Sequence, residues 1–187
     1  MKVYFALSAL FITNLCISSC TNNTSKVSGT TGSSATAALQ QVDTGKNQLQ
    51  TEEAKKWLIA AIEDHFKLDT DMATMTTETY NAYKIDAMNV DMQVDNSLSE
   101  EEFNTKWAAK FDTATHINNI AFLISGQDYD QILVKDCEAL PAKHNRVDTI
   151  VFKTTLMDKG LHQEYHRKIF VTHQNGKYLI ADVLEED

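Results

Sequence analysis

The chain has 187 residues, 43% of them hydrophobic, with 17 basic against 26 acidic side chains and a net charge of −9. That length suits one domain with a leader and is sufficient for a real core. With an acidic balance and no basic stripe, neither nucleic acid nor acidic polymers are expected ligands.

The first element is N-terminal. Lys2 supplies a positive start, Val3 to Ile17 an apolar run, and Ser18 and Ser19 small residues before Cys20. The run is interrupted by Ser8, Thr13 and Asn14 and falls short of the roughly 20 apolar residues a membrane span needs. It reads as a signal peptide. Ile17-Ser18-Ser19-Cys20 resembles the lipobox of bacterial lipoproteins, whose cysteine receives diacylglyceryl and becomes the mature N-terminus. The resemblance implies a signal over residues 1–19 and acyl chains on Cys20, so that lipid carries the membrane contact. A soluble secreted protein with a chance cysteine is the alternative. Thr21, rather than Asp, after the cysteine implies the outer membrane. The acid-free stretch Thr21 to Lys26 implies its periplasmic side, with surface exposure left open. The signal holds one basic and no acidic residue, so without it the net charge is −10.

The cysteine accounting follows. Cys16 leaves with the signal and Cys20 becomes a thioether, which leaves Cys137 without a disulfide partner in the chain. Cys137 is expected as a small buried hydrophobe, since a reactive thiol needs a neighbouring base or an electropositive pocket. Residues 20–50, rich in Ser, Thr, Asn, Gly and Gln, have a linker's composition. Residues 51–187 then form one domain.

Ala54, Trp57, Leu58, Ala61, Ile62 and Phe66 recur at helical spacing and predict a helix over about Thr51 to Lys67. A second is expected from about Thr77 to Asn89, carrying Tyr80, Tyr83 and Ala87. Ser99-Glu100-Glu101-Glu102 is a capping box that starts a third. Phe103, Trp107 and Phe111 then make an aromatic ridge suited to core packing. Thr113 to Tyr129 allows a short helix around Ile117 to Ile124. The period then changes to that of strands: Gln131 to Leu140 with a break near Asp136, Val147 to Met157, Leu161 to His173 and Tyr178 to Leu184. Asp158-Lys159-Gly160 and Asn175-Gly176 supply the turns between the later ones. Helices followed by consecutive hairpin strands predict an α+β fold with an antiparallel sheet of about four strands.

Gly126-Gln127-Asp128-Tyr129, the long hairpin and the closing Asn175-Gly176-Lys177-Tyr178-Leu179-Ile180-Ala181-Asp182-Val183 resemble the cone-shaped fold of nuclear transport factor 2. They resemble in particular lipoproteins of Bacteroidetes-type bacteria with such a domain. The resemblance covers about Thr51 to Glu185 and implies a curved sheet facing helices across a cavity. That fold hosts isomerases, dehydratases and polyketide cyclases as well as domains without chemistry, so it does not choose a function.

If the cavity is catalytic, Tyr80, Tyr83, His116 and Asp128 are the acid, base and hydroxyl candidates. Read as ordinary structure, the two tyrosines are core rings and Asp128 is a turn residue. His162, Glu164, His166 and Lys168 alternate on one strand face, where His162, Glu164 and His166 are the only metal-ligand candidates. The bland reading is a solvated face opposite Tyr165, Ile169 and Val171. Asp69-Thr70-Asp71 fails as a calcium loop, because the sixth and twelfth positions hold Thr74 and Tyr80. No cofactor is expected. The expectation is thus a lipid-anchored envelope protein with a non-catalytic binding domain. Its partner would be a small apolar molecule, an envelope protein or a second copy. The alternatives are a cavity enzyme of the isomerase, dehydratase or hydrolase kind, and an envelope immunity or inhibitor protein.

Overall fold

A computed structural model describes residues 34–92, 94–113, 122–124, 129–141 and 148–186, with side chains described from residue 47 onward. Helix α1 (Ser34–Leu68) is followed by a 3-10 turn (Met72–Thr74), α2 (Glu78–Asn89) and α3 (Glu100–Trp107). Strands β1 (Ile132–Ala139), β2 (Thr149–Asp158), β3 (Gln163–Gln174) and β4 (Lys177–Glu185) complete the fold.

The α+β class and the four antiparallel strands are as expected, but the cone is not formed. The sheet is an open meander in the order β1-β2-β3-β4, with β1 and β4 at opposite edges and, among the described residues, no pairing that closes it. A strand bends where a bulge interrupts its ladder. Here the bulges lie in the outer pairings, between Val134 and Asp136 and between Phe170 and Val171. The central β2–β3 ladder runs unbroken from Thr149↔Thr172 to Asp158↔Gln163. Nothing in it curls the middle of the sheet.

Alternation along the ladders separates two faces. Ile150, Phe152, Thr154 and Leu156 of β2 share one with Val171, Ile169, Arg167 and Tyr165 of β3. Helix α1 covers that face with Ala54, Leu58 and Ile62, all fully buried, and its strongest packing is against β1. Glu63 on α1 accepts a hydrogen bond from the Val134 amide at 3.1 Å, so a helix carboxylate satisfies the edge strand beside its bulge. Lys135, the extra residue there, reaches Glu164 at 2.6 Å.

Helix α1 begins at Ser34, so residues 34–50 are helical where composition suggests a linker. Extending a helix that tertiary packing has already nucleated fixes one residue per added hydrogen bond, without a second nucleation cost. Polar Gln and Lys residues tolerate that extension well. Asn47 to Gln50 are exposed on it.

The 3-10 turn and α2 lie beside β4, and α3 packs on α2. Thr76 bridges Ile180 in parallel, and the Thr77 amide donates to the Ile180 carbonyl at 2.9 Å, which covers part of that sheet edge. Thr77 caps α2 through its hydroxyl, and Ser99 with Glu102 forms the expected reciprocal box at α3. Both helices feed an aromatic cluster. Tyr83 stacks on Phe111 at 4.2 Å and on Phe103 at 5.5 Å, with Trp107 edge-on at 5.7 Å. Phe111 lies past the end of α3 but completes the expected ridge.

Two turns shape the sheet ends. Asp158 is buried and accepts hydrogen bonds from the amides of Gly160, Leu161 and Asp130 at 2.8–3.0 Å. Those bonds, the Leu161 amide foremost, hold its carboxyl below the usual range. Asn175 and Gly176 both have positive φ, 51° and 77°, as a two-residue hairpin turn of this hand requires.

Candidate functional site

At the end of the sheet where β2 begins and β3 meets β4, two shallow hollows adjoin. Both are lined by Asp148, Thr149, Thr172 and Gln174. The first, of about 480 Å³, adds Gln50 from α1 with Ile150, Val171, His173 and Tyr178. The second, of about 570 Å³, opens toward Thr76 to Thr79, Phe111, Asn175, Leu179 and Ala181. The register explains the pair. Ile150, Val171 and Ile180 form a row on the α1 face, while Thr149, Thr172 and Leu179 form the next row on the other face.

Local sequence builds the first hollow. The Asn175-Gly176 turn sets His173 opposite Tyr178, with ring centroids 4.8 Å apart. Trp57 on α1 is the other ring contact of Tyr178, with centroids 6.0 Å apart. The Tyr178 hydroxyl is 3.3 Å from Glu53 Oε2 and 3.4 Å from the Gln50 carbonyl. These contacts fix the orientation of the ring. Burial, and then the Glu53 carboxylate, push the Tyr178 hydroxyl above its usual pKa, so it stays protonated. The lining of the two hollows offers hydroxyls, carboxamides, an imidazole and the carboxylates of Asp148 and Glu78. Among the described residues it contains no Lys or Arg.

Those residues singled out from sequence that the structure describes are placed elsewhere. Tyr80 and Tyr83 are only 1% and 0% exposed and line neither hollow. Burial is the main reason that both hydroxyls are held above the usual phenol range, and Asp182 adds to it. Tyr83 spends its proton on the Asp112 carbonyl at 3.1 Å. His116, Asp128 and Cys20 lie outside the described residues.

His162 is not on the strand. It stands in the preceding turn with φ 56°, because Asp158 closes the turn through Leu161 and β3 starts only at Gln163. That removes it from the alternating set. Glu164 pairs with Lys135, and His166 Nδ1 lies 3.3 Å from the Thr155 hydroxyl. No group of three His, Cys, Asp or Glu side chains able to hold a metal occurs among the described residues. Lys168 pairs with Glu186 at 2.6 Å, and Tyr165, Ile169 and Val171 are buried on the opposite face as expected.

Cys137 is buried against α1, with the Thr154 hydroxyl 3.9 Å from its sulfur. Burial pushes its thiol up, which suits packing rather than nucleophilic work. In the sequence Arg167 reads as one more charge on a strand. In the fold it is 1% exposed. Its guanidinium bonds the Leu123 and His166 carbonyls and lies 3.5 Å from Glu185. It acts as a buried clamp between the sheet and the segment at Leu123. Among the described residues, no helix is long and apolar enough to cross a membrane.

No family model, curated protein or solved structure matches this chain.

Proposed function

We propose that this protein is a lipid-anchored component of a bacterial cell envelope whose domain is a non-catalytic binding module. The anchor rests on the apolar run that ends in Ile17-Ser18-Ser19-Cys20. The observation that carries the binding role is the pair of adjoining hollows at the open end of the sheet, with a pre-positioned Tyr178 beside exposed polar groups. The tyrosines that would serve catalysis are instead packed into the aromatic cluster. A binding module needs a fixed surface and no tuned acid–base pair, and this is what the hollows offer.

Two measurements test the reading. Cys20→Ala is expected to abolish incorporation of radiolabelled palmitate and to move the protein from the membrane to the soluble fraction. Unchanged membrane association would end the anchor proposal. For binding, the acylated full chain is recovered from its own envelope, as wild type and as Gln174→Lys, a change on an exposed side chain that lines both hollows. The wild type is expected to retain a component that the variant loses. Equal retention by both, or retention of nothing by either, would remove the hollows from the account.

A further inference from the structure

We propose that the outer face of α2, with the turn that follows it, docks a basic amphipathic segment of another polypeptide. None of the residues that carry this reading lines either hollow, so it depends neither on them nor on the anchor.

Helix α2 turns Tyr80, Tyr83, Lys84 and Ala87 into the fold. Ile85 and Met88, three residues apart, are left as neighbours on its outer side. Met92 and Val94 follow on the connection to α3, and all four are 39–60% exposed. That connection is tied down. The Asp91 amide donates to the Leu98 carbonyl at 3.1 Å, and the Ser97 amide donates to the Val94 carbonyl at 3.0 Å. Val90 and Leu98 pack against the core, so Met92 and Val94 are apolar surface beyond what packing uses. Exposed apolar side chains grouped in this way and rimmed by polar ones mark an interaction surface.

Charge selects the partner. From Ile85 to Thr105 the chain carries Asp86, Asp91, Asp95, Glu100, Glu101 and Glu102, and no Lys or Arg. Asp86 is taken by Lys106 and Trp107, and Glu102 by the α3 capping box. Asp91, Asp95, Glu100 and Glu101 are exposed, and among the described residues none of them has an ion-pair partner. A second copy is a poor occupant, because a two-fold contact through this face would set the acidic rim against itself. So is a lipid surface, since helices that lie on membranes carry Lys and Arg beside their apolar face. The chain's own Thr21 to Ser33 offers one large apolar side chain, Val27, and one base, Lys26. The basic stretch Lys143 to Arg146 is joined to Thr149, at the sheet end that holds Thr172, whereas α2 runs from Ile180 towards Glu185 at the other end. An amphipathic helix of another protein meets such a face through apolar anchors on successive turns. Unbranched methionines adapt to those anchors, and Lys or Arg beside them would face the acidic rim and steer the encounter.

The test places a photoreactive benzophenone amino acid at Met92 of the full chain, in the cells that make it. The control carries it at Leu161, which is comparably exposed in the β2–β3 turn. After irradiation, mass spectrometry identifies the joined peptides. The expected product links position 92 to a segment of another protein with apolar residues at helical spacing and an excess of Lys and Arg. Position 161 should not give it. Met88→Ser is expected to lower its yield ~10-fold, and Asp91→Asn with Asp95→Asn ~3-fold. These side chains are exposed, so the core is untouched by either variant. A product with a second copy of the chain, with lipid, or with an acidic or wholly polar segment would overturn the proposal. So would the absence of any product, the same product from position 161, or a yield indifferent to either variant.

Discussion

Tyr83 and Tyr178 carry the same side chain into opposite situations. Tyr83 is enclosed by Phe103, Trp107 and Phe111, and its hydroxyl is committed to a backbone carbonyl. Tyr178 is half-buried at the sheet end, steadied by Trp57 and Glu53, with ring surface left in a hollow. The first is committed to the core, whereas the second keeps part of its ring open at the sheet end. A tyrosine is thus available for function when its neighbours fix it without enclosing it.

The sharpest way to break this contrast is truncation. Tyr83→Ala is expected to cost ~3–5 kcal/mol in urea denaturation, as for other large aromatic core deletions. Tyr178→Ala should cost clearly less, and equal losses would erase the distinction. A smaller change isolates the hydroxyl. Tyr83→Phe keeps the stacking and should cost ~1 kcal/mol, because only the bond to the Asp112 carbonyl goes. Ser99→Ala should also cost ~1 kcal/mol by unmaking the capping box that starts α3 and presents Phe103 and Trp107 to Tyr83.

A further expected effect is one of pH, centred on Lys84, which is buried on α2. Burial lowers its pKa to about 8, against the partial opposition of Glu185 and Asp182. Between about pH 8 and its unfolded value near 10.4, the unfolded chain therefore holds more protons. Stability should rise with pH over that interval. It should fall above about pH 10, where the unfolded tyrosines ionise while Tyr80 and Tyr83 remain protonated in the fold. Lys84→Met should flatten the rise and leave the fall, as read from urea midpoints across pH. A rise that survives in Lys84→Met would place its source elsewhere.

Much of this structure was legible in residue order. Short-range rules found the Ser99–Glu102 box, the Asn175-Gly176 turn, the Asp158 turn and the interruption beside Asp136, because each depends on bonds within a few residues. Composition misled where it ignored context, as at residues 34–50, which continue a helix nucleated further along. The strand placement of His162 missed by one residue: it belongs to the turn, so period-2 alternation starts too late to include it. The cone failed for a non-local reason. Curvature depends on where bulges fall between paired strands, and strand partners are not written in either strand alone.

By itself the sequence determined the class of the fold, the order and type of its elements, and the pattern around Cys20 that motivates the anchor. Only the tertiary structure decided which tyrosine is enclosed and which is presented. It also made Arg167 a buried clamp and brought Gln50 of α1 to the sheet end beside Gln174 and Tyr178. The physical reason is range. Propensity, capping and turn chemistry act over a few residues, whereas enclosure is settled by which distant surfaces meet.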